Sequence, residues 1–323
     1  MTKNVFLTGA TGSVGRALIP RLLHQGYQVT ALVRRDAPEL RRMGVRVVVG
    51  DVLRPESFSG ALGEASCVVH LAGLLRGSAK NLSRVNVVGT QNVFDACRNA
   101  RVRKIIYLSS LLVAGPQTTI PINETVVCSP NTRYGATKLS AENILLSAPD
   151  DLTAIILRCG QIITPSTRVI QWVVPWLRWR LPIMRIKNTI QLVHIDDVVH
   201  AVLLALENDR HSPDIFNIGD DVAITGDEFF HSLASAAQAP QPSYVPVSVA
   251  KGIALIFEGV SALTKTNPVL TRDMINAALT SHGADNKRAK TILHYHPSHP
   301  AVHGELRDLV LQGMAKPQNP PSH

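Results

Sequence analysis

The stretch Asn4-Val-Phe-Leu-Thr8-Gly9-Ala-Thr-Gly12-Ser-Val-Gly15 decides the fold of this chain, because it runs from an apolar strand into a helix through three glycines. Glycines at these positions let the backbone turn tightly and approach a ligand closely. The free N–H groups and the positive dipole end of the following helix favour an anion there. This context predicts a pyrophosphate-binding loop, with an ordinary glycine-rich turn as the alternative.

The segments that follow alternate between short apolar strands and amphipathic helices. Strands rich in Val, Ile and Leu are predicted at Asn4–Thr8, Gln28–Val33, Arg46–Val49, Cys67–Leu71, Lys104–Leu108 and Thr153–Leu157. Helices are predicted at Gly12–Gln25, Pro38–Met43, Glu56–Leu62, Val85–Ala100 and Tyr134–Leu146. Such alternation is typical of a parallel sheet covered on both faces, so we predict an α/β fold with a Rossmann-type doubly wound parallel sheet.

Beyond Arg158 the pattern becomes irregular, with strand-like segments at Gln191–His194 and Asp214–Ile218. We predict a dinucleotide-binding core of residues 1–165, to which residues 191–219 return. Residues 166–190 and 220–315 are predicted to form a smaller, mainly helical lobe that binds the substrate. Residues 316–323 are predicted to be a disordered tail.

The composition indicates a globular protein, with 45% hydrophobic and 18% charged residues in a chain of 323. The four cysteines include no Cys-x-x-Cys pair and are expected to be reduced thiols, and the first strand begins without a secretory signal, so we expect a cytoplasmic location. The net charge of +9 comes from scattered basic residues. This scatter argues against nucleic acid as a partner and suits an anionic cofactor or an acidic membrane surface.

Tyr134 and Lys138 lie four residues apart, about one helical turn, so both side chains project from the same side of a predicted helix. An ammonium beside a phenol lowers the pKa of the phenol from its ordinary value of about 10. We interpret the pair as a general acid/base able to exchange a proton with a substrate.

The end of the second strand bears on cofactor choice. An enzyme that uses NAD usually has an acidic residue there to bind the ribose 2′-hydroxyl. Here Val33 occupies that position and Arg34 follows, and a guanidinium can bind a 2′-phosphate with two hydrogen bonds. We therefore predict NADP(H) in preference to NAD(H). The alternative is that Arg34 and Arg35 are solvated charges at a strand end.

These motifs, with others in the same order, resemble the extended short-chain dehydrogenase/reductase family over roughly residues 4–220. The other matching motifs are Gly50–Val52, Val69–Gly73, Asn86–Thr90, Leu108–Ser110, Tyr134–Lys138 with Glu142, Leu157–Gly160, His194–Val198 and Phe216–Gly219. Cys159 departs from the family, which usually has Pro there, and this change is expected to alter loop stiffness rather than chemistry. Leu270–Met274 and Asn286–Pro297 resemble the 3β-hydroxysteroid dehydrogenase and dihydroflavonol reductase branch of this NAD-dependent epimerase/dehydratase superfamily.

The resemblance implies a role for each site residue. Tyr134 would be the general acid/base, Lys138 would bind the nicotinamide ribose, and Ser110 would hydrogen-bond the substrate oxygen, with Ser109 as a competitor for that role. We expect no metal. The predicted cofactor contacts are Gly9, Thr11, Gly12, Ser13, Val14, Arg34, Asp51, Val52, Leu71, Ala72, Gly73, Ser109, Tyr134, Lys138 and Cys159.

Four other polar residues receive structural interpretations. His70 and His194 are expected to be structural histidines with satisfied ring nitrogens. Asp197 is expected to cap a helix over residues 198–206. Glu142 is expected to be solvated or paired with a lysine.

Two departures from related families indicate an apolar substrate. Family dehydratases that act on nucleotide sugars place Asp-Glu after the active-site hydroxyl, where this chain has Leu111-Leu112. Nucleotide-sugar members also tend to carry a phosphate-binding Arg at the position of Ile190. We therefore expect a small hydrophobic substrate that is steroid-, flavonoid- or 3-oxo-lipid-like.

Two apolar segments, Val169–Ile186 with three tryptophans and Val247–Leu263, are expected to form an apolar wall over the substrate. Neither reaches the ~20 uninterrupted apolar residues of a spanning helix. We expect them to pack as core helices because Pro175 interrupts the amphipathic run; a dimer contact or peripheral contact with a membrane surface are the alternatives. The family also often forms homodimers through the two helices predicted at Val85–Ala100 and Tyr134–Leu146.

Three hypotheses for the function follow. The first is an NADP(H)-dependent oxidoreductase that interconverts a secondary alcohol and a ketone on a hydrophobic substrate. The second is an epimerase or isomerase that retains its nicotinamide cofactor and acts on a sugar-derived substrate. The third is a cofactor-sensing or assembly subunit without turnover, against which the intact Ser110/Tyr134/Lys138 set argues.

Overall fold

A computed structural model describes residues 3–117, 120–164, 169–208, 213–264, 270–281, 283–299 and 306–315. The predicted tail, residues 316–323, lies outside these ranges.

Seven parallel strands form the central sheet, in the spatial order β11-β6-β5-β4-β1-β2-β3. The strands of the molecule are β1 Asn4–Thr8, β2 Gln28–Val33, β3 Arg46–Val49, β4 Cys67–His70, β5 Lys104–Ser110, β6 Thr153–Cys159, β7 Gln161–Ile163, β8 Ile183–Met184, β9 Thr189–Ile190, β10 Leu192–His194, β11 Asp214–Ile218, β12 Ile224–Thr225 and β13 Tyr244–Val245. The strand order reverses between β1 and β4, as in a doubly wound dinucleotide-binding fold. The predicted fold class is confirmed.

Helices connect the strands and cover both faces of the sheet. They are α1 Ser13–His24, α2 Pro38–Arg42, α3 Ala79–Ser83, α4 Gly89–Asn99, α5 Arg133–Leu146, α6 Val174–Arg178, α7 Ile195–Glu207, α8 Gly226–Ala236, α9 Val247–Thr264, α10 Arg272–Ala278 and α11 Leu306–Ala315. Short 3-10 turns lie at Pro55–Ser57, Ser59–Leu62 and Leu111–Val113, and π-helical turns lie at Arg84–Val88, Val169–Val173 and Ala289–Leu293.

Two apolar cores sandwich the sheet because successive residues of a strand face opposite sides. In β1, Val5 and Leu7 belong to the core that packs under α1 and α7, whereas Phe6 belongs to the core under α4 and α5. Both faces of the central strands are therefore buried, which is why these strands read as continuous apolar runs.

A third apolar cluster lies in the carboxy-terminal half and joins α6, α8 and α11. Three two-stranded pairs hold this region: β7 with β10, β9 with β12, and β8 with β13. β11 returns to the central sheet beside β6, whereas β10 pairs with β7 outside it.

Two predicted helices differ from the structure. The helix expected at Glu56–Leu62 is two 3-10 turns that are separated at Phe58, whose φ is −141°. Phe58 is buried against Phe6, with ring centres 6.2 Å apart, so tertiary packing overrides a continuous helix there. The helix expected from Val85 begins earlier, at Ala79, because the Ser78 hydroxyl accepts the N–H of Asn81 as an N-cap.

The expected core packing of the Trp-bearing segment is wrong for two of its tryptophans. Trp176 is 39% exposed and Trp179 is 74% exposed. Helix α6 is only five residues long, begins beside Pro175, and buries Val174 and Leu177 instead. The side chain of Trp172 lies outside the described part of the structure.

Candidate active site

The glycine turn between β1 and α1 can exist only with glycines at its two ends. Gly9 has a φ of +73°, and a Cβ there would lie 2.6 Å from the Leu71 carbonyl carbon. A Cβ on Gly15 would lie 2.4 Å from the Gly9 carbonyl oxygen. Gly12 is the N-cap of α1 and provides no side-chain cap to the first N–H groups of the helix. Thr11 and Ser13 are exposed beside them and Val14 is buried below, so the turn fits a pyrophosphate.

The ends of β2 and β3 lie next to this turn in the sheet. Val33 is buried and Arg34 is exposed at the end of β2. The next acid along the chain, Asp36, binds the Arg41 guanidinium at 3.0 Å. After β3, the Asp51 carboxylate accepts the N–H of Leu53 at 2.9 Å.

A polar network holds the loop of residues 71–74 that follows β4. The Thr8 hydroxyl accepts the N–H of Ala72 at 3.1 Å. Asn86, in the π-helical turn, accepts the N–H of Leu74 at 2.7 Å and donates to the Leu74 carbonyl at 2.9 Å. Asn86 belongs to one of the family motifs in the sequence, but no role was predicted for it. The network fixes the backbone of the predicted cofactor contacts Leu71, Ala72 and Gly73.

His70 is a structural histidine, as predicted. It is fully buried, with Thr8 Oγ1 2.7 Å from Nδ1 and Thr90 Oγ1 3.0 Å from Nε2. Burial, assisted by the charge of Lys138, lowers the pKa of His70 to about 3. The neutral ring therefore links β1, β4 and α4 across the physiological pH range.

Lys138 lies in a tight polar pocket at the end of β5. Its Nζ donates to the Leu108 carbonyl at 2.6 Å and lies 3.9 Å from the centre of the Tyr107 ring. Burial lowers the pKa of Lys138 to about 7, while Glu142 and Cys159 act in the opposite direction. A lysine with this pKa is divided between its charged and neutral forms near neutrality.

Tyr134 lies in the first turn of α5, where the Thr132 hydroxyl caps the helix by accepting the N–H of Gly135 at 3.0 Å. A Cβ on Gly135 would lie 2.5 Å from the Leu112 carbonyl oxygen, so this turn packs directly against the segment that follows Ser110. Burial raises the pKa of Tyr134, and the neighbouring Cys159 raises it further. The direction is opposite to the lowering expected from Lys138, because desolvation of the phenolate is the main cause of the shift in this structure.

The two candidate serines have different partners. Ser109 is buried and donates its hydroxyl to the Glu142 carboxylate. Ser110 is partly exposed, and its hydroxyl accepts the N–H of Leu112 at 3.2 Å. Ser110 is thus the serine with a hydroxyl proton that can reach a substrate.

Glu142 is neither solvated nor paired with a lysine, contrary to expectation. It is fully buried and forms an ion pair with Arg158, whose Nη2 lies 2.7 Å from Oε2 and whose Nε lies 3.1 Å from both carboxylate oxygens. With Ser109, the pair ties helix α5 to strands β5 and β6. The ion pair depends on residues sixteen positions apart in different elements, so no local pattern indicated it.

Cys159 lies opposite Ser110 in the register of β5 and β6. Burial raises the pKa of the Cys159 thiol to about 12, although Lys138 opposes the shift. The residue is therefore a neutral thiol at physiological pH.

An apolar cluster of Leu111, Ala114 and Ile122 lies beside Ser110. Asn217 holds this region to the sheet: its Nδ2 donates to the Ile122 carbonyl at 3.1 Å, and its N–H donates to Glu124 at 2.8 Å. The wall next to the candidate catalytic serine is therefore apolar and anchored.

His194 has the structural role that was predicted for it, whereas Asp197 does not. His194 caps α7, since its Nδ1 accepts the N–H of Asp196 at 3.2 Å, as its structural interpretation requires. Asp197 does not cap the helix, because α7 begins two residues earlier, at Ile195. Its buried carboxylate instead accepts the N–H groups of Ser298 and His299 at 3.0 and 3.1 Å.

Within the described ranges, no three His, Cys, Asp or Glu side chains gather into a group that could hold a metal ion. In the same residues, no helix is both long and apolar enough to cross a bilayer.

A glycine cradle, a buried lysine, a tyrosine and a serine at the carboxyl edge of this sheet define a nicotinamide-dependent class of proteins. Residues 5–219 match the NAD dependent epimerase/dehydratase family, and the chain belongs to that family. The resemblance stated from the motifs is confirmed.

Individual relatives extend this result. A 3-diazoavenalumate denitrifying reductase of a Streptomyces species is 28% identical over 92% of this chain and 97% of its own length. A 2-alkyl-3-oxoalkanoate reductase of Shewanella oneidensis is 27% identical over 89% of this chain and 80% of its own. The solved structure of MoeE5 in complex with UDP-glucuronic acid and NAD is 25% identical, covers 96% of this chain and 98% of its own, and has a TM-score of 0.74. The chain is accordingly an oxidoreductase that uses NAD(P).

Proposed function

We propose that this enzyme is an NADP(H)-dependent oxidoreductase that interconverts a secondary alcohol and a ketone on a hydrophobic substrate. The observation that carries the proposal is the packing of the Tyr134 turn of α5 against the segment after Ser110, beside an apolar cluster. A carbonyl oxygen placed between the two hydroxyls would receive two hydrogen bonds. The name of the 2-alkyl-3-oxoalkanoate reductase supports the 3-oxo-lipid member of the predicted substrate classes.

The cofactor would bind along the carboxyl edge of the sheet. The backbone of Gly9–Val14 would hold the pyrophosphate, Arg34 a 2′-phosphate, and Lys138 the nicotinamide ribose. When bound, the nicotinamide ring supplies or accepts the hydride.

The side chains of the site would donate the proton and stabilise the negative charge that develops on the substrate oxygen. Ser110 donates its hydroxyl hydrogen to the substrate oxygen. Tyr134, whose pKa is raised by burial, holds its proton at neutral pH and can donate it to that oxygen as negative charge grows. Lys138 would hold the ribose of the cofactor, and burial lowers the pKa of its ammonium to about 7.

The test is turnover of NADPH with a panel of hydrophobic ketones that includes a 2-alkyl-3-oxoalkanoate. We expect Tyr134→Phe to lower kcat by about 100-fold or more, because the proton donor is removed while the ring is kept. Tyr27→Phe, at the amino edge of β2, is the matched control and should change kcat less than about twofold. Full activity in Tyr134→Phe, or no ketone that consumes NADPH, would disprove the proposal.

The second candidate is an epimerase that retains its cofactor and acts on a sugar-derived substrate. The similarity to MoeE5, solved with UDP-glucuronic acid and NAD, favours it. Ile190 opposes it, since nucleotide-sugar members tend to carry a phosphate-binding Arg at this position. Purified protein with stoichiometric, tightly held nicotinamide and no net redox turnover would select this candidate instead.

A further inference from the structure

Helix α9 exposes several large apolar side chains to solvent and buries small ones against the protein. Ala250 and Ala254 are buried in a cluster with Ile275 of α10. Val249, Ile253 and Ile256 are 46%, 40% and 68% exposed. Their spacing of four and three residues puts the exposed three on one stripe of the helix. A soluble surface helix normally has the reverse arrangement.

The segment that carries the exposed tryptophans is joined to the segment that leads into α9 by a pair of short strands. Parallel pairing of β8 with β13 joins the two segments, with Ile183 opposite Tyr244 and the Ile183 N–H donating to the Ser243 carbonyl at 2.9 Å. Trp179 precedes β8 by four residues, and Val249 follows β13 by four. We call the set Trp176, Trp179, Val249, Ile253 and Ile256 the Trp–α9 face.

The segments that carry the Trp–α9 face are basic. Residues 176–187 and 247–260 contain five basic residues, Arg178, Arg180, Arg185, Lys187 and Lys251, and one acidic residue, Glu258. The Glu258 carboxylate binds the Arg272 guanidinium at 2.9 Å, so its charge is compensated locally. The charge of Arg185 is likewise compensated, because its Nε lies 3.6 Å from the Asp227 carboxylate, which leaves four basic residues in these segments. An exposed apolar stripe with a basic surround is complementary to an apolar partner that carries negative charge at its surface.

We propose that the Trp–α9 face binds the surface of an anionic phospholipid bilayer, with α9 lying in the plane of the interface. Tryptophan is favoured at the headgroup level, and arginine side chains beside it can reach the phosphates. A second copy of the chain fits less well, because a two-fold interface would bring the two basic surfaces together. This docking does not depend on the reaction that the enzyme catalyses.

Helix α9 is connected to the candidate active site through α10. Helix α10 packs against α9, and its Asp273 carboxylate accepts the N–H of Arg133, the residue before Tyr134, at 2.9 Å. A hydrophobic substrate of the class proposed above would dissolve in the bilayer, and docking would bring the enzyme to it. Only this consequence of docking rests on the proposed function.

The test is flotation of the purified full-length protein with vesicles of phosphatidylcholine, alone or mixed with phosphatidylglycerol. We expect binding to the mixed vesicles that weakens as salt is raised. Ile256→Ser should weaken this binding about tenfold through lost apolar contact. Arg180→Gln should weaken it about fivefold, and only on the anionic vesicles. The matched control is Met43→Ser, an exposed apolar residue next to α2, which should bind like the wild type.

Three results would overturn the proposal. The first is no flotation with the mixed vesicles. The second is equal binding to vesicles with and without phosphatidylglycerol. The third is a dimer in solution, detected by light scattering, that Ile256→Ser abolishes, since a second copy would then cover the face.

Discussion

Three titratable side chains meet at the ends of β5 and β6, and their surroundings give them very different proton affinities. Burial lowers the pKa of Lys138 to about 7 and raises the pKa of Cys159 to about 12, and it also raises the pKa of Tyr134. Near neutral pH the tyrosine and the cysteine keep their protons while the lysine is partly neutral. The acid/base behaviour at this scale follows from desolvation more than from the Tyr–Lys spacing.

Lys138 should make the stability of the protein depend on pH. Its folded pKa is below its unfolded value of about 10.4, so the unfolded chain binds more protons between these two values. The free energy of unfolding of the wild type should therefore rise, relative to that of Lys138→Met, as the pH goes from about 7 to about 10. Urea unfolding at several pH values measures this difference. The exposed Lys251→Met is the control, and a difference that stays constant with pH would contradict the prediction.

Arg34 should set the preference for the phosphorylated cofactor. Removing a guanidinium that binds a 2′-phosphate costs about tenfold in affinity. We expect Arg34→Ala to raise the KM for NADPH by about that factor and to leave the KM for NADH unchanged. Arg42→Ala, an exposed arginine at the end of α2, is the control. NADH used as well as NADPH by the wild type, with no change in Arg34→Ala, would refute the cofactor assignment.

Helix α5 carries Tyr134 and Lys138, and contacts with neighbouring segments hold both halves of the helix in place. Its first turn is capped by Thr132 and packs on the segment after β5. Its middle is held by the buried pair of Glu142 with Arg158 of β6 and by Ser109 of β5. One turn separates Glu142 from Lys138, so the ion pair also positions the lysine.

Breaking this ion pair should be costly. Glu142→Gln leaves the Arg158 guanidinium buried without its carboxylate, and we expect a loss of about 3–5 kcal/mol in the free energy of unfolding. Replacing both partners with leucine should recover most of that loss, because no buried charge then remains. Glu64→Gln, which breaks the exposed pair with Arg46, is the control and should cost less than about 1 kcal/mol. Chemical denaturation compares the variants, and equal costs for Glu142→Gln and Glu64→Gln would contradict the assignment.

At the scale of the whole molecule, the central sheet carries the candidate active site and the carboxy-terminal helices carry the proposed bilayer contact. The carboxyl edge of the central sheet collects the glycine turn, Arg34, Ser110 and Lys138 because parallel strands all end at the same edge. Helices α9 and α10 lie over the start of α5, and α9 carries an exposed apolar stripe outward. The start of α5 is thereby in contact with α10, which in turn packs against α9.

The secondary-structure predictions succeeded where the signal was local. The strands β1–β6 and helices α1 and α5 follow from apolar runs, glycine spacing and caps within a few residues of each other. The helix expected at Glu56–Leu62 failed because the burial of Phe58 against Phe6 is a contact between distant segments. The division into a cofactor core and a substrate lobe stays a prediction, as do the roles of the site residues.

The sequence alone determined the α/β fold, the family and the identity of the candidate residues, since each depends on residue types at fixed spacing along the chain. Only the tertiary structure decided which serine remains accessible, which partner Glu142 takes, which direction the pKa of Tyr134 moves, and which side of α9 meets solvent. These outcomes depend on segments far apart in sequence that come into contact, and on the water that such contacts exclude, neither of which is recorded in a local pattern.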